Sequence, residues 1–205
     1  MKVAIVRAHA EDRPGAVSMS GETEWDWSGQ VQVAALTMRA PRGMILGGFS
    51  RRAATLYERR MRGLCARINE WGADAVVSTH YNASGGRQWG GGLALHWPWS
   101  SRGRALAQCI AERCGARLRV PCRPYGQDRS WSGGEGDGLT APDGSPPKPQ
   151  GPHLHLLKLT KAPAVILEPG FGDSPKDWPK LRYAQELVAK CIIEGVAQWG
   201  ASDAG

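Results

Sequence analysis

Residues 73–83 read Ala73-Asp74-Ala75-Val76-Val77-Ser78-Thr79-His80-Tyr81-Asn82-Ala83, and the fold is decided in this stretch. A short β-branched run that ends in a histidine is the pattern of a buried strand delivering a side chain to the edge of a sheet. Two other stretches have the same form. Val3-Ala4-Ile5-Val6 runs out at His9, and Ala164-Val165-Ile166-Leu167 runs out at Glu168. In open α/β sheets, ligands and metals gather at the carboxyl ends of strands. Strand ends carrying His, His and Glu therefore predict one site, with zinc as its occupant.

Outward from these strands, the chain alternates strand and helix. Residues 2–8 read as a strand. Residues 24–39 read as a helix, entered at Gly21-Glu22-Thr23 and stopped by Pro41 and Gly43. Met44-Ile45-Leu46 reads as a second short strand. Residues 51–71 form an amphipathic pattern in which Tyr57, Met61, Leu64 and Ile68 share a face, with Ser50 as the expected cap and Gly72 as the stop. A strand over Leu93–Trp97 follows a Gly-rich loop (Gly85-Gly86, Gly90-Gly91-Gly92), and residues 101–114 read as a helix ended by Gly115. Residues 121–152 are rich in Gly, Pro, Ser and Asp and read as one long irregular segment, the usual form of a functional lid or a disordered loop. Ala184, Val188, Cys191 and Gly195 mark a last helix. No repeat and no second domain is visible. The expectation is one α/β domain over residues 1–205: a three-layer sandwich with a twisted, mostly parallel sheet and helices on both faces.

The composition narrows the function. A chain of 205 residues, 41% apolar and 22% charged, can bury a real core. No apolar run approaches the ~18 residues of a membrane span, so no stable membrane insertion is expected. Met1-Lys2-Val3-Ala4-Ile5-Val6-Arg7 reads as the first core strand and is too short for a signal peptide. Synthesis in the cytoplasm is the expectation. The five cysteines (Cys65, Cys109, Cys114, Cys122, Cys191) include no Cys-x-x-Cys pair, so they read as reduced structural thiols. A net charge of +7 favours an anionic partner. Nucleic acid is not that partner, because no zinc-finger spacing, P-loop or basic tail is present. Trp25, Trp27, Trp89, Trp97, Trp99 and Trp131 lie near loops or motif residues, where exposed indoles would stack on sugar rings; tryptophan is equally ordinary core filler.

Zinc hydrolases hold the ion with three protein ligands and keep a fourth position for water. His9 and His80 are the imidazole candidates. Glu24, opening the helix after the first strand's loop, is the expected third ligand, with Glu22 two residues away as the alternative. Glu168 is then left to act as general base. His153 and His155 would share a face if extended and could make a second contact; they, with His96, read more simply as ordinary loop or structural histidines.

With these residues in order, the chain resembles the zinc-dependent N-acetylmuramoyl-L-alanine amidases of bacterial and phage cell-wall lysis. Ala8-His9 with Pro14-Gly15-Ala16-Val17 resembles the family's opening His-Gly-Gly element, although Ala10-Glu11 replaces the glycine pair. Glu24-Trp25-Asp26-Trp27 resembles its ligand glutamate at a helix start. Arg59 and Asn69-Glu70-Trp71-Gly72-Ala73-Asp74 are similar to its Arg…Ala-Asn…Ala-Asp segment. Val77-Ser78-Thr79-His80-Tyr81-Asn82-Ala83 is similar to its Ser-x-His-x-Asn-Ala motif. Pro163-Ala164-Val165-Ile166-Leu167-Glu168-Pro169-Gly170-Phe171 is similar to its Pro-Ala-x-Leu-x-Glu-x-Gly-Phe motif, with Pro169 removing one backbone N–H.

The resemblance implies a zinc enzyme that cuts the amide between the lactyl group of N-acetylmuramic acid and L-alanine of the peptidoglycan stem peptide. His9, Glu24 and His80 would hold the ion, and Glu168 would move the proton. The short N-terminal strand, single domain and basic charge suit a monomeric phage endolysin, made in the host cytoplasm and acting on the wall after release, with a bacterial enzyme exported by another route as the alternative. A zinc exopeptidase of similar architecture and a catalytically silent wall-binding protein are the rival expectations. Arg51-Arg52 and Arg59-Arg60 read most simply as solvated helix faces, with anchoring of the motif region the alternative for Arg59; Asn82 is expected either to hold the loop after His80 or to touch substrate.

Overall fold

The computed structural model describes residues 1–52, 56–85, 90–126 and 155–203. Six strands form one sheet: β1 (Lys2–Arg7), β2 (Ile45–Phe49), β3 (Ala75–Thr79), β4 (Gly92–His96), β5 (Cys122–Gly126) and β6 (Ala164–Glu168), in the order β2-β1-β3-β6-β4-β5. The pairs β2-β1, β1-β3, β3-β6 and β4-β5 are parallel. Only β4 against β6 is antiparallel. The helices are α1 (Glu24–Thr37), α2 (Tyr57–Trp71), α3 (Ser101–Leu118), α4 (His155–Leu159), α5 (Trp178–Leu181) and α6 (Gln185–Asp203).

Alternation along the strands splits the core into two layers. Val3, Ile5, Val77 and Val165 face α1, α3 and α6 through Val31, Ile110 and Val188. Ala4, Val6, Val76 and Ile166 face α2 and α4 through Met61, Leu64, Ile68, Leu156 and Leu157. The central strands β3 and β6 are buried on both faces, which is why their sequences read as unbroken apolar runs. The three-layer sandwich with a mostly parallel sheet is thus the observed architecture. On the first face α3 and α6 pack backbone to backbone: a Cβ added at Gly195 would lie 2.8 Å from Ile110 Cα.

Several boundaries differ from the sequence reading, each for a local reason. Residues 121–152 are not irregular throughout, because β5 occupies Cys122–Gly126 beside β4. Pro124 disguises it, yet β5 lies at the sheet edge, where a missing N–H is tolerated. The rest of that segment, His153, Trp89 and Trp131 lie outside the described residues. Helix α3 does not end at Gly115. It continues to Leu118, whose buried side chain anchors the last turn, and stops at Arg119 with φ 53°. Ser50 does not cap α2, whose N-cap is Leu56 without a side-chain bond. Ser50 instead directly follows β2, and its carbonyl accepts from Arg67 at 2.5 Å. Gly72 does end α2, in the left-handed conformation (φ 73°). Thr23 caps α1, its hydroxyl accepting from the Asp26 N–H.

Candidate metal centre and active site

Because β1, β3 and β6 run in the same direction, their carboxyl ends open onto one pole of the molecule. His80 follows β3 and Glu168 ends β6; the two strands are neighbours, and the His80 N–H donates to the Leu167 carbonyl at 2.8 Å. His9 lies two residues beyond β1 with φ 56°, a left-handed backbone that turns its ring back toward the sheet. Glu24 opens α1, where its carboxylate sits at the helix start.

These elements bring three donors together. The ligand atoms of His9, Glu24 and His80 all lie within 4.8 Å of one another. Glu24 bridges the rings: His9 Nε2 is 3.1 Å from Oε2, and His80 Nδ1 is 3.2 Å from Oε1. The Ala16 N–H donates to Oε2 at 2.9 Å. Burial acts to raise the Glu24 carboxyl, but hydrogen bonds from His80 and His9 outweigh it and hold the group at about 2. Glu22 turns elsewhere, accepting from Gln30 Nε2 at 2.6 Å, and burial raises its carboxyl. Glu168 is 1% exposed. It is not part of the three-donor cluster but stands on the strand beside His80.

The surrounding backbone is shaped to this cluster. Gly15 adopts φ 82°, and a Cβ there would lie 2.5 Å from His9 Cδ2 and 2.7 Å from Glu24 Oε2. Only glycine leaves room for the two donors. Gly92, where β4 begins, passes the carbonyls of Pro169 and Glu168, which a Cβ would meet at 2.9 and 3.0 Å. Pro169 lies just past the last β4-β6 pair, Leu93 with Glu168, so its missing N–H interrupts no observed pairing.

Residues 3–198 match the protein family described as N-acetylmuramoyl-L-alanine amidase. The chain belongs to that family. Solved structures agree on the fold. An N-acetylmuramoyl-L-alanine amidase from Clostridium difficile 630 is similar at TM-score 0.74 and 19% identity, covering 98% of this chain and 97% of its own. The amidase AmiC2 of Nostoc punctiforme is similar at TM-score 0.74 and 18% identity, with coverage of 98% and 97%. The catalytic domain of the CD27L endolysin targeting Clostridia difficile is similar at TM-score 0.68 and 19% identity, with coverage of 97% of each chain. No curated protein gives a significant match.

The amidase therefore hydrolyses an amide bond of peptidoglycan, and the exopeptidase and silent-binder expectations are set aside. No helix among its described residues is long and apolar enough to cross a membrane.

Around the centre stand residues that sequence reasoning passed over (Tyr81, Asp177), misplaced on a solvated face (Arg60) or left with two roles (Asn82). Arg59 is exposed; its neighbour Arg60 is the buried one, clasping Asp12 with both terminal guanidinium nitrogens at 2.5 and 2.6 Å. This ion pair ties α2 to the loop after His9. The helical period alone places Arg60, not Arg59, one position from the buried face that carries Met61 and Leu64. Tyr81 sits behind the centre, its hydroxyl within 2.8 and 2.7 Å of the Ala16 and Glu22 carbonyls. Burial, with Glu24 and Glu22 nearby, pushes its phenol far up. Asp177, buried, accepts from the N–H groups of Gly91 and Phe171 at 2.8 and 3.2 Å, fixing the turn beyond Glu168. Asn82 joins the loops after β3 and β6 through its backbone, donating to the Gly170 carbonyl at 2.9 Å and accepting from Gly172 at 2.8 Å.

Other singled-out residues lie away from the centre. Trp27 is core, fully buried beside Tyr81. Trp97 and Trp99 stack edge to face at 5.2 Å past the carboxyl end of β4, which faces the opposite pole. His155 is the first residue of α4, and its ring meets Tyr57 at 5.8 Å.

Proposed function

We propose that this amidase is zinc-dependent and cuts the bond between the lactyl group of N-acetylmuramic acid and L-alanine, with His9, Glu24 and His80 as ligands and Glu168 as general base. The observation that carries the reading is the convergence of two imidazoles on one buried carboxylate at the carboxyl pole. The donor set fits zinc, which accepts nitrogen and oxygen ligands in three-residue catalytic sites. A carboxylate held ionised at about 2 is ready to ligate at any physiological pH.

Bound zinc would supply a Lewis acid and lower the pKa of a water to ~7. This chain's own residues do the rest. Glu24 and the two imidazoles hold their geometry through Gly15 and the Ala16 N–H. Glu168, on the strand next to His80, takes a proton from the attacking water and returns it to the departing amine of L-alanine. Glu168 is buried at this pole, out of bulk solvent. Asp177 and Asn82 hold the loops on either side of it.

The chain works as one catalytic domain and as a monomeric phage endolysin, released from the host cytoplasm onto the wall. The fold it shares with an endolysin catalytic domain supports this reading, as does a net charge of +7 suited to an anionic wall. The test is a digest of purified peptidoglycan read by mass spectrometry, with and without a strong zinc chelator. Stem peptides with a free L-alanine amine, released only without chelator, are expected. Chelator-resistant release would remove zinc from the account, and cleavage at another bond would remove the assigned substrate. For the endolysin role, cells expressing the chain should lyse only when the inner membrane is opened; lysis with an intact membrane argues against it.

A further inference from the structure

Behind His80, on the side away from Glu24, stands Ser78. Two residues apart on an extended strand, the two side chains share a face of β3. Ser78 Oγ lies 3.2 Å from His80 Nε2, both groups buried, while the other ring nitrogen, Nδ1, faces Glu24 Oε1 at 3.2 Å. The ring is thus held between a carboxylate on one nitrogen and a hydroxyl on the other. We propose that Ser78 is a positioning residue for the metal ligand His80, accepting the Nε2 proton so that Nδ1 presents its lone pair beside Glu24. The inference rests on the zinc reading above.

A hydroxyl suits this position because it can reverse its role. Without metal, Nδ1–H donates to Glu24 and Nε2 accepts from the Ser78 hydroxyl. With metal on Nδ1, the proton must sit on Nε2, and the same oxygen accepts it. Ligating imidazoles generally have such a partner on the second nitrogen, and its removal typically costs 10–100-fold in metal affinity. A side chain that only accepts or only donates would stabilise one of the two states and oppose the other. The neighbouring Thr79 points to the other face of the strand and cannot substitute.

The experiment titrates the metal-free full-length chain with zinc against a competing chelator, comparing wild type with Ser78→Ala at equal folded content by circular dichroism. The expected result is a zinc Kd raised roughly 10–100-fold in Ser78→Ala, beyond the modest drop in thermal midpoint that losing one buried hydrogen bond brings to the metal-free protein. Equal zinc affinity in the two proteins would overturn the proposal. Nitrogen NMR of zinc-loaded wild type supplies a second readout that needs no variant. A proton on His80 Nε2 is expected, and metal on Nε2 would overturn the assignment. A wild type that binds no zinc would instead remove the metal reading on which the proposal stands.

Discussion

His80 and His96 each close a short, fully buried strand, and each is itself buried, yet they lie at opposite ends of the sheet. His80 follows β3, which runs parallel to β1 and β6, and so meets Glu24 and His9. His96 ends β4, which runs antiparallel to β6 and places it opposite Val165, at the start of that strand. There its Nδ1 pairs with the Trp97 carbonyl at 3.0 Å, and burial lowers its pKa. One histidine is built into a cluster with two other side chains able to hold a metal ion. The other is a satisfied structural group. Strand direction, and not the local sequence, separates them.

Four substitutions or conditions sharpen that contrast. The largest effect belongs to Glu168→Gln, expected to lower wall hydrolysis by about 10²–10⁴-fold while circular dichroism stays native; a loss below tenfold would detach Glu168 from the chemistry. Next comes acid. The Glu24 carboxyl is held at about 2, below its ordinary 4.5, so the metal-free protein gains stability from it above the ordinary value. That gain, on the order of 3 kcal/mol, disappears as pH falls from ~4.5 toward ~2. Urea titrations across this window should slope for wild type and run flatter for Glu24→Gln; parallel curves would contradict the assigned cause. Gly15→Ala places a methyl against both His9 and Glu24 in a left-handed backbone, and should cost roughly 2 kcal/mol or more by denaturant unfolding. A neutral result would mean that the loop holds the ligands less tightly than the geometry requires. The smallest effect is His96→Phe, which gives up one buried hydrogen bond. It should cost about 1 kcal/mol and leave wall hydrolysis within the error of the assay. Loss of activity there would erase the distinction between the two histidines.

The contrast also explains what was legible in the sequence. Buried parallel strands advertise themselves as β-branched runs, so β1, β3 and β6 and the residues at their ends could be read directly. Glu24 was accessible through its helix start, and the structure separates it from Glu22, which turns to Gln30. Other features depended on tertiary placement. Pro124 reads as a loop breaker until its strand is known to be at an edge. Gly115 reads as a helix stop until Leu118 is seen buried beyond it. Arg59 and Arg60 differ by one helical position; the helical period sets Arg60 beside the buried face, and the tertiary structure supplies its partner, Asp12. Trp97 and Trp99 follow a strand as His80 does, but past the antiparallel one. The Ser78 contact was present in the strand alternation all along, since residues two apart share a face; its partner nitrogen was not.

The most direct test of the central claim is diffraction from zinc-soaked crystals, with anomalous data collected at the zinc absorption edge. One dominant peak is expected, bounded by His9, Glu24 and His80, at the carboxyl pole beside Glu168. A peak elsewhere, at His96 for example, or no peak at a saturating zinc concentration, would contradict it.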